Sequence, residues 1–128
     1  GLIPVDRDGG GKAMRAMLSA AKAALAAGRP LVLFAEGTRI PHGLAPPLRS
    51  GFAGIYRLLG VPVIPVAVNS GIAYPPRRWV KWPGTITYKI GETIPAGLPR
   101  EEAEERVWRA INALNPPEAL LTGRTDQP

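Results

Sequence analysis

The run Leu31-Val32-Leu33-Phe34 passes directly into Ala35-Glu36-Gly37-Thr38-Arg39. Its four apolar residues do not alternate with polar ones, the pattern of a strand buried on both faces. Working back from it, Pro30 blocks a helix and Gly28 supplies a left-handed cap. Before that cap, Met14, Met17, Leu18, Ala21 and Leu25 recur at three- and four-residue steps, with Lys12, Arg15, Ser19 and Lys22 on the other face. This spacing predicts an amphipathic helix whose methionines fill the core. Gly9 to Gly11 and Asp6-Arg7-Asp8 separate it from a first short apolar strand, Leu2 to Val5.

Working forward, Ile40 to Pro47 is a proline-rich loop containing His42. Ser50 is placed to cap a second helix over Gly51 to Leu59, ended by Gly60. Val63 to Val68 is again continuously apolar, with Pro65 at an edge or bulge. A proline- and tryptophan-bearing connector, Ile72 to Pro83, leads to the alternating strand Thr85 to Ile90. The last helix opens at Pro99-Arg100-Glu101-Glu102, where proline and carboxylates suit a first turn. Ala103, Val107, Ala110, Ile111 and Leu114 form its buried stripe, and Asn115-Pro116-Pro117 stops it. Strands alternating with helices predict an α/β fold, a layered, mostly parallel sheet with flanking helices. Residues 1–121 form one domain and 122–128 a flexible tail.

The composition narrows the chemistry. The chain has 128 residues, 45% of them hydrophobic, no Cys and 1 His. That length suits a single domain. A thiol nucleophile, a disulfide scaffold, a thiolate metal site and a histidine-pair metal site are all excluded. Up to Lys89 there are 12 basic residues against 3 acidic, whereas from Ile90 onward there are 4 against 7. The basic part favours an anionic partner: phosphate groups, nucleic acid or an acidic lipid surface.

Familiar motifs fail on inspection. Gly9-Gly10-Gly11-Lys12 is followed by Ala13 where a P-loop needs Ser or Thr, and Met14 stands where a dinucleotide fingerprint needs its third glycine. Asn69-Ser70-Gly71 is preceded by Val68, so there is no nucleophile elbow. His42 has no carboxylate nearer in sequence than Glu36 and reads as a plain loop residue.

The best candidate site is Glu36-Gly37-Thr38-Arg39, at the carboxyl end of a strand, where ligands of open α/β sheets collect. Gly37 allows main-chain N–H groups to approach an anion. Thr38 adds a hydroxyl and Arg39 a fork matched to phosphate oxygens. Glu36 is placed to orient an arginine or hold a ligand hydroxyl. Arg7 converges on the same edge if the two strands are neighbours. The alternative is that Glu36 and Arg39 form a surface pair at a turn.

These residues carry a resemblance. Gly1-Leu2-Ile3-Pro4-Val5-Asp6-Arg7, Phe34-Ala35-Glu36-Gly37-Thr38-Arg39 and Val61-Pro62-Val63-Ile64-Pro65-Val66-Ala67-Val68 are similar, in order and spacing, to the second, third and fourth motifs of the glycerophospholipid acyltransferases. Leu48-Arg49-Ser50-Gly51-Phe52 resembles the family's aromatic-Lys-x-Gly segment, and Ala35 replaces the usual proline of the third motif. The resemblance implies a glycerol-3-phosphate acyltransferase-like fold. It implies acyl transfer from acyl-CoA or acyl carrier protein to the free hydroxyl of lysophosphatidic acid, giving phosphatidic acid, with no cofactor and no metal.

By the same resemblance Arg7, Glu36, Gly37 and Arg39 bind the head-group phosphate with Thr38 assisting, and Pro65 belongs to the acyl or acceptor pocket. The family's N-H-x-x-x-x-D motif is missing, because position 47, five residues after His42, is Pro47. The resemblance therefore implies a C-terminal portion, incomplete at its N-terminal side, without catalytic residues and inactive alone. It also implies a peripheral place at the cytoplasmic face of the cell membrane.

Tyr74-Pro75-Pro76-Arg77-Arg78-Trp79-Val80-Lys81-Trp82 mixes aromatics with cations in a turn-rich connector. Arg77, Arg78, Trp79, Lys81 and Trp82 are candidates for the membrane surface. The alternative folds Trp79 and Trp82 against the sheet. The rival to the enzyme reading is a non-catalytic phosphate- or nucleic-acid-binding α/β module. Aromatic and basic residues do not interleave along a sheet face as single-stranded nucleic acid requires, which disfavours a nucleic-acid partner.

Overall fold

The helix α1, Gly10–Ala26, ends where its sequence says it must. Gly28 takes φ 73. Its N–H reaches the Leu25 carbonyl while that of Arg29 reaches Ala24, the paired closure of a Schellman motif. The structure, a computed structural model, describes residues 2–4 and 8–122. Ala21 and Ala24 are buried, but Met14 is 43% exposed, contrary to its expected core place. The cause is limited cover: α1 packs on α2, Ser50–Leu59, and on no other named element to a comparable extent.

Leu31–Phe34 is not a strand among the described residues. Val32 and Phe34 are 84% and 81% exposed. A strand needs a neighbour to take its N–H and C=O groups, and no described segment pairs with this one. The sheet that does form is antiparallel. β1, Val66–Val68, pairs with β2, Tyr88–Ile90, in the register Val66↔Ile90, Ala67↔Lys89, Val68↔Tyr88. The pairing runs on irregularly through a Val63↔Ile94 bridge and an Asn69–Thr87 contact made by backbone and by the Asn69 Oδ1. The architecture is thus mixed α/β, and the layered, mostly parallel sheet is not seen among the described residues. β1 is also not buried on both faces: Ala67 is wholly buried, while Val66 and Val68 face outward.

The core lies between α2 and α3, Arg100–Ile111. Phe52, Tyr56, Ile94, Ala103 and Val107 are buried together, with Ala35, Leu48 and Val63 packed against them. Tyr56 sits inside by satisfying its hydroxyl, which donates to the Pro95 carbonyl at 2.5 Å and accepts the Leu98 N–H at 3.0 Å. Three surface ion pairs, Arg100–Glu104, Glu102–Arg106 and Glu105–Arg109, are i,i+4 pairs along α3.

Three boundaries differ from expectation. Ser50 is the first residue of α2 rather than its cap; Arg49, in an extended conformation, holds that place. The last helix stops at Ile111, and Pro116-Pro117 opens a further short helix, α4, Pro117–Thr122. Proline suits a first helical turn as well as it stops one. The expected tail therefore begins no earlier than residue 123, and residues 123–128 lie outside the described ones.

Candidate functional site

Gly37 has φ 70, and a Cβ there would lie 2.8 Å from the Cγ of Arg49. The left-handed backbone and the missing side chain thus serve one purpose: the aliphatic stem of Arg49 crosses directly over the Glu36–Arg39 turn. The approach is tied by a backbone hydrogen bond from the Arg49 N–H to the Ala35 carbonyl at 3.3 Å. The Gly37 N–H donates to the Phe34 carbonyl at 2.9 Å.

Arg49 also caps α2, whose first turn holds no acidic residue. The amides of Ser50 and Gly51 have no acceptor within the helix and carry the positive end of its dipole. One arginine and one helix start therefore border the same turn. Arg49 was legible only as part of a motif; nothing in the linear pattern marked it as a neighbour of Gly37, twelve residues earlier.

Thr38 and Arg39 are exposed, and Glu36 is half-buried. No ion pair joins Glu36 to Arg39 among the described residues, so the surface-pair alternative is not realised. Burial raises the Glu36 carboxyl above its ordinary value of 4.5 by desolvating its charged form. The folded state then binds more protons than the unfolded chain just above pH 4.5, so Glu36 lowers stability as pH rises through its folded pKa. Glu36→Gln is expected to raise the urea midpoint at pH 7, and the gain should vanish as pH falls towards 4.5. Parallel denaturation curves at both pH values check this.

Arg7 lies outside the described residues. Leu2, Ile3 and Pro4 do line a shallow cleft with Arg29, Pro30 and Leu31, so the first segment runs beside the entry to Leu31–Phe34. Pro65 is buried beside Gly91, where a Cβ would meet its Cγ at 3.1 Å and the Cβ of Ala110 at 3.4 Å. It thus lies beside the end of β2, near Ala110 of α3. His42 is half-buried and packs on Gly71, where a Cβ would stand 3.1 Å from the His42 Cβ. Trp79 is fully exposed and Trp82 58% exposed, so Trp79 does not fold against the sheet and neither indole belongs to the core.

Trp108 was missing from the expected stripe of α3, yet it fixes the loop that follows Arg39. Its Nε1–H donates to the carbonyls of Ala45 and Pro46 at 3.2 and 3.0 Å. Ala45 and Ala119 pack on it. Below, Asn115 accepts the Gly43 N–H, and donates to the carbonyl of Leu44 and to Asn112 Oδ1. An aromatic on a predominantly charged helix was the available signal.

The Acyltransferase family model matches residues 1–69. The chain is 34% identical over 113 residues to a 1-acyl-sn-glycerol-3-phosphate acyltransferase of Pseudomonas aeruginosa, an alignment covering 88% of this chain and 41% of that protein. The chain thus spans less than half the length of this curated relative. No solved structure matches.

Proposed function

Since the chain belongs to the acyltransferase family, we propose that it is the acceptor-binding part of an enzyme that moves an acyl group from acyl-CoA or acyl carrier protein to the free hydroxyl of 1-acylglycerol 3-phosphate. The product is phosphatidic acid, and the setting is the cytoplasmic face of the membrane, peripherally. The observation that carries this reading is the passage of Arg49 over Gly37, which brings a second cationic segment and the start of α2 to the turn bearing Arg39.

A phosphate monoester is a dianion with oxygens to satisfy. Arg39 offers a planar fork to them, Thr38 a hydroxyl, and the first amides of α2 fixed partial charge. By the family resemblance, Arg7 supplies a further guanidinium. Glu36, half-buried in the turn of Thr38 and Arg39, is placed to orient an arginine or to hold a hydroxyl of the glycerol. Pro65 shapes the acceptor side from within the core. The exposed apolar residues Val32 and Phe34 support a place for Leu31–Phe34 in a parallel sheet of the whole protein.

Attack on a thioester needs a base to take the hydroxyl proton. His42 packs on Gly71 and is followed at position 47 by Pro47, not by an aspartate that would orient it. The 128 residues alone are therefore expected to bind the acceptor without transferring acyl groups. Calorimetric titration with 1-acylglycerol 3-phosphate, 1-acylglycerol and inorganic phosphate tests this, beside a thioester-release assay. Binding of the phosphate ester alone, without release, is expected. Equal binding of inorganic phosphate, or tighter binding of an oligonucleotide with log-linear loss in salt, would favour the rival module.

A further inference from the structure

The connector from Ala73 to Trp82 is a closed loop. The Trp82 N–H donates to the Ala73 carbonyl at 2.9 Å, joining its two ends. Ala73 is buried, and the Tyr74 N–H reaches back to Ser70 at 2.8 Å, so the base is anchored. The Lys81 ammonium lies 5.9 Å from the centre of the Tyr74 ring and 3.4 Å from the Pro75 carbonyl, bracing the two limbs.

What this base holds up is unusual. Trp79 is 100% exposed, flanked by exposed Arg77, Arg78, Val80 and Lys81. Burying an indole is worth a few kcal/mol, yet the chain turns it outward. Arg77 is the one non-glycine among the described residues with positive φ, 61°. Such backbone strain persists where the surroundings impose it and often marks a functional loop.

We propose that this loop is a finger that seats on an anionic lipid bilayer, Trp79 and Trp82 entering the interface while Arg77, Arg78 and Lys81 meet lipid phosphates. Charge complementarity supports this occupant: no Asp or Glu stands between Glu36 and Glu92 in the sequence, so no carboxylate of the loop opposes an acidic surface. Indole at the lipid–water boundary with cations beside it is the chemistry that boundary selects. The base of the finger also touches the loop that follows Arg39, because Gly71 packs on His42. A lysophospholipid could then stay in the bilayer while its phosphate reaches Arg39. The proposal rests on the head-group reading for that last point only.

Co-sedimentation with vesicles of phosphatidylcholine, alone or mixed with phosphatidylglycerol, tests it. The unaltered chain should bind the mixed vesicles and shift its tryptophan emission to the blue, a change from Trp79 and Trp82 because Trp108 is already buried. Trp79→Ala with Trp82→Ala should weaken binding at least about tenfold, and Arg77→Gln, Arg78→Gln and Lys81→Gln together by a similar factor, only on the anionic vesicles. Circular dichroism should be unchanged in both, since these side chains are exposed.

Undiminished vesicle binding by the double tryptophan variant, or none by the unaltered chain, overturns the proposal. Arg39→Ala separates the two readings: it should lose glycerol 3-phosphate binding and keep vesicle binding. If Arg39→Ala alone abolishes sedimentation, the vesicle signal belongs to the head-group site and the finger is refuted.

Discussion

Trp108→Ala is expected to destabilise the chain by about 3–5 kcal/mol, the cost of emptying a large buried aromatic site. A domain of this size has roughly 5–15 kcal/mol in all, so much of the population should be unfolded at modest urea concentrations. Two effects add. The cavity opens where Ala45 and Ala119 pack on the ring, and the carbonyls of Ala45 and Pro46 lose their donor. Trp108→Phe separates them: it keeps most of the volume and removes only the N–H, for about 1–3 kcal/mol. Equilibrium urea unfolding followed by circular dichroism measures both. If Trp108→Ala unfolds within about 0.5 kcal/mol of the unaltered chain, α3 does not hold the Ile40–Pro47 loop as described.

The consequence reaches the site. The loop secured by Trp108 and by Asn115 begins directly after Arg39. Loosening it frees the C-terminal side of the turn that Arg49 covers. Trp108→Phe should therefore weaken acceptor binding as well as stability, although Trp108 touches none of the residues assigned to the phosphate.

Arg39→Ala is expected to weaken binding of glycerol 3-phosphate by about 10–100-fold, since a hydrogen-bonded charge contact contributes about 1.5–3 kcal/mol. Arg39→Lys should restore only part of this, because an ammonium keeps the charge and loses the two-pronged geometry. Arg39 is exposed and makes no ion pair among the described residues, so neither change should move the unfolding midpoint. Isothermal titration beside urea curves separates binding from folding. Unaltered affinity in Arg39→Ala would remove the central contact of the proposed head-group site.

Much was legible from local pattern. The helix α1, its glycine cap, the stop at Gly60 and the opening of α3 all follow from residues within one or two turns of each other, although of the expected stripe of α1 only Ala21 is buried. So does the Phe34-to-Arg39 motif, because its meaning lies in residue types at adjacent positions. Leu31–Phe34 shows the limit of such reading. Four unbroken apolar residues specify what a segment would bury, but pairing requires a second strand, and among the described residues none meets it. β1 shows the same in reverse: its apolar run looked doubly buried, and the antiparallel partner left one face open.

The linear order of residues was sufficient for the family, for the glycine stops of α1 and α2 and for the opening of α3, since each depends on near neighbours. Only the folded chain brought Arg49 across Gly37, Trp108 under Ala45 and Pro46, and Gly71 onto His42. Those contacts join segments whose separation along the chain leaves no periodic trace. They exist because steric room and unsatisfied carbonyls are properties of surfaces that form only when distant elements pack.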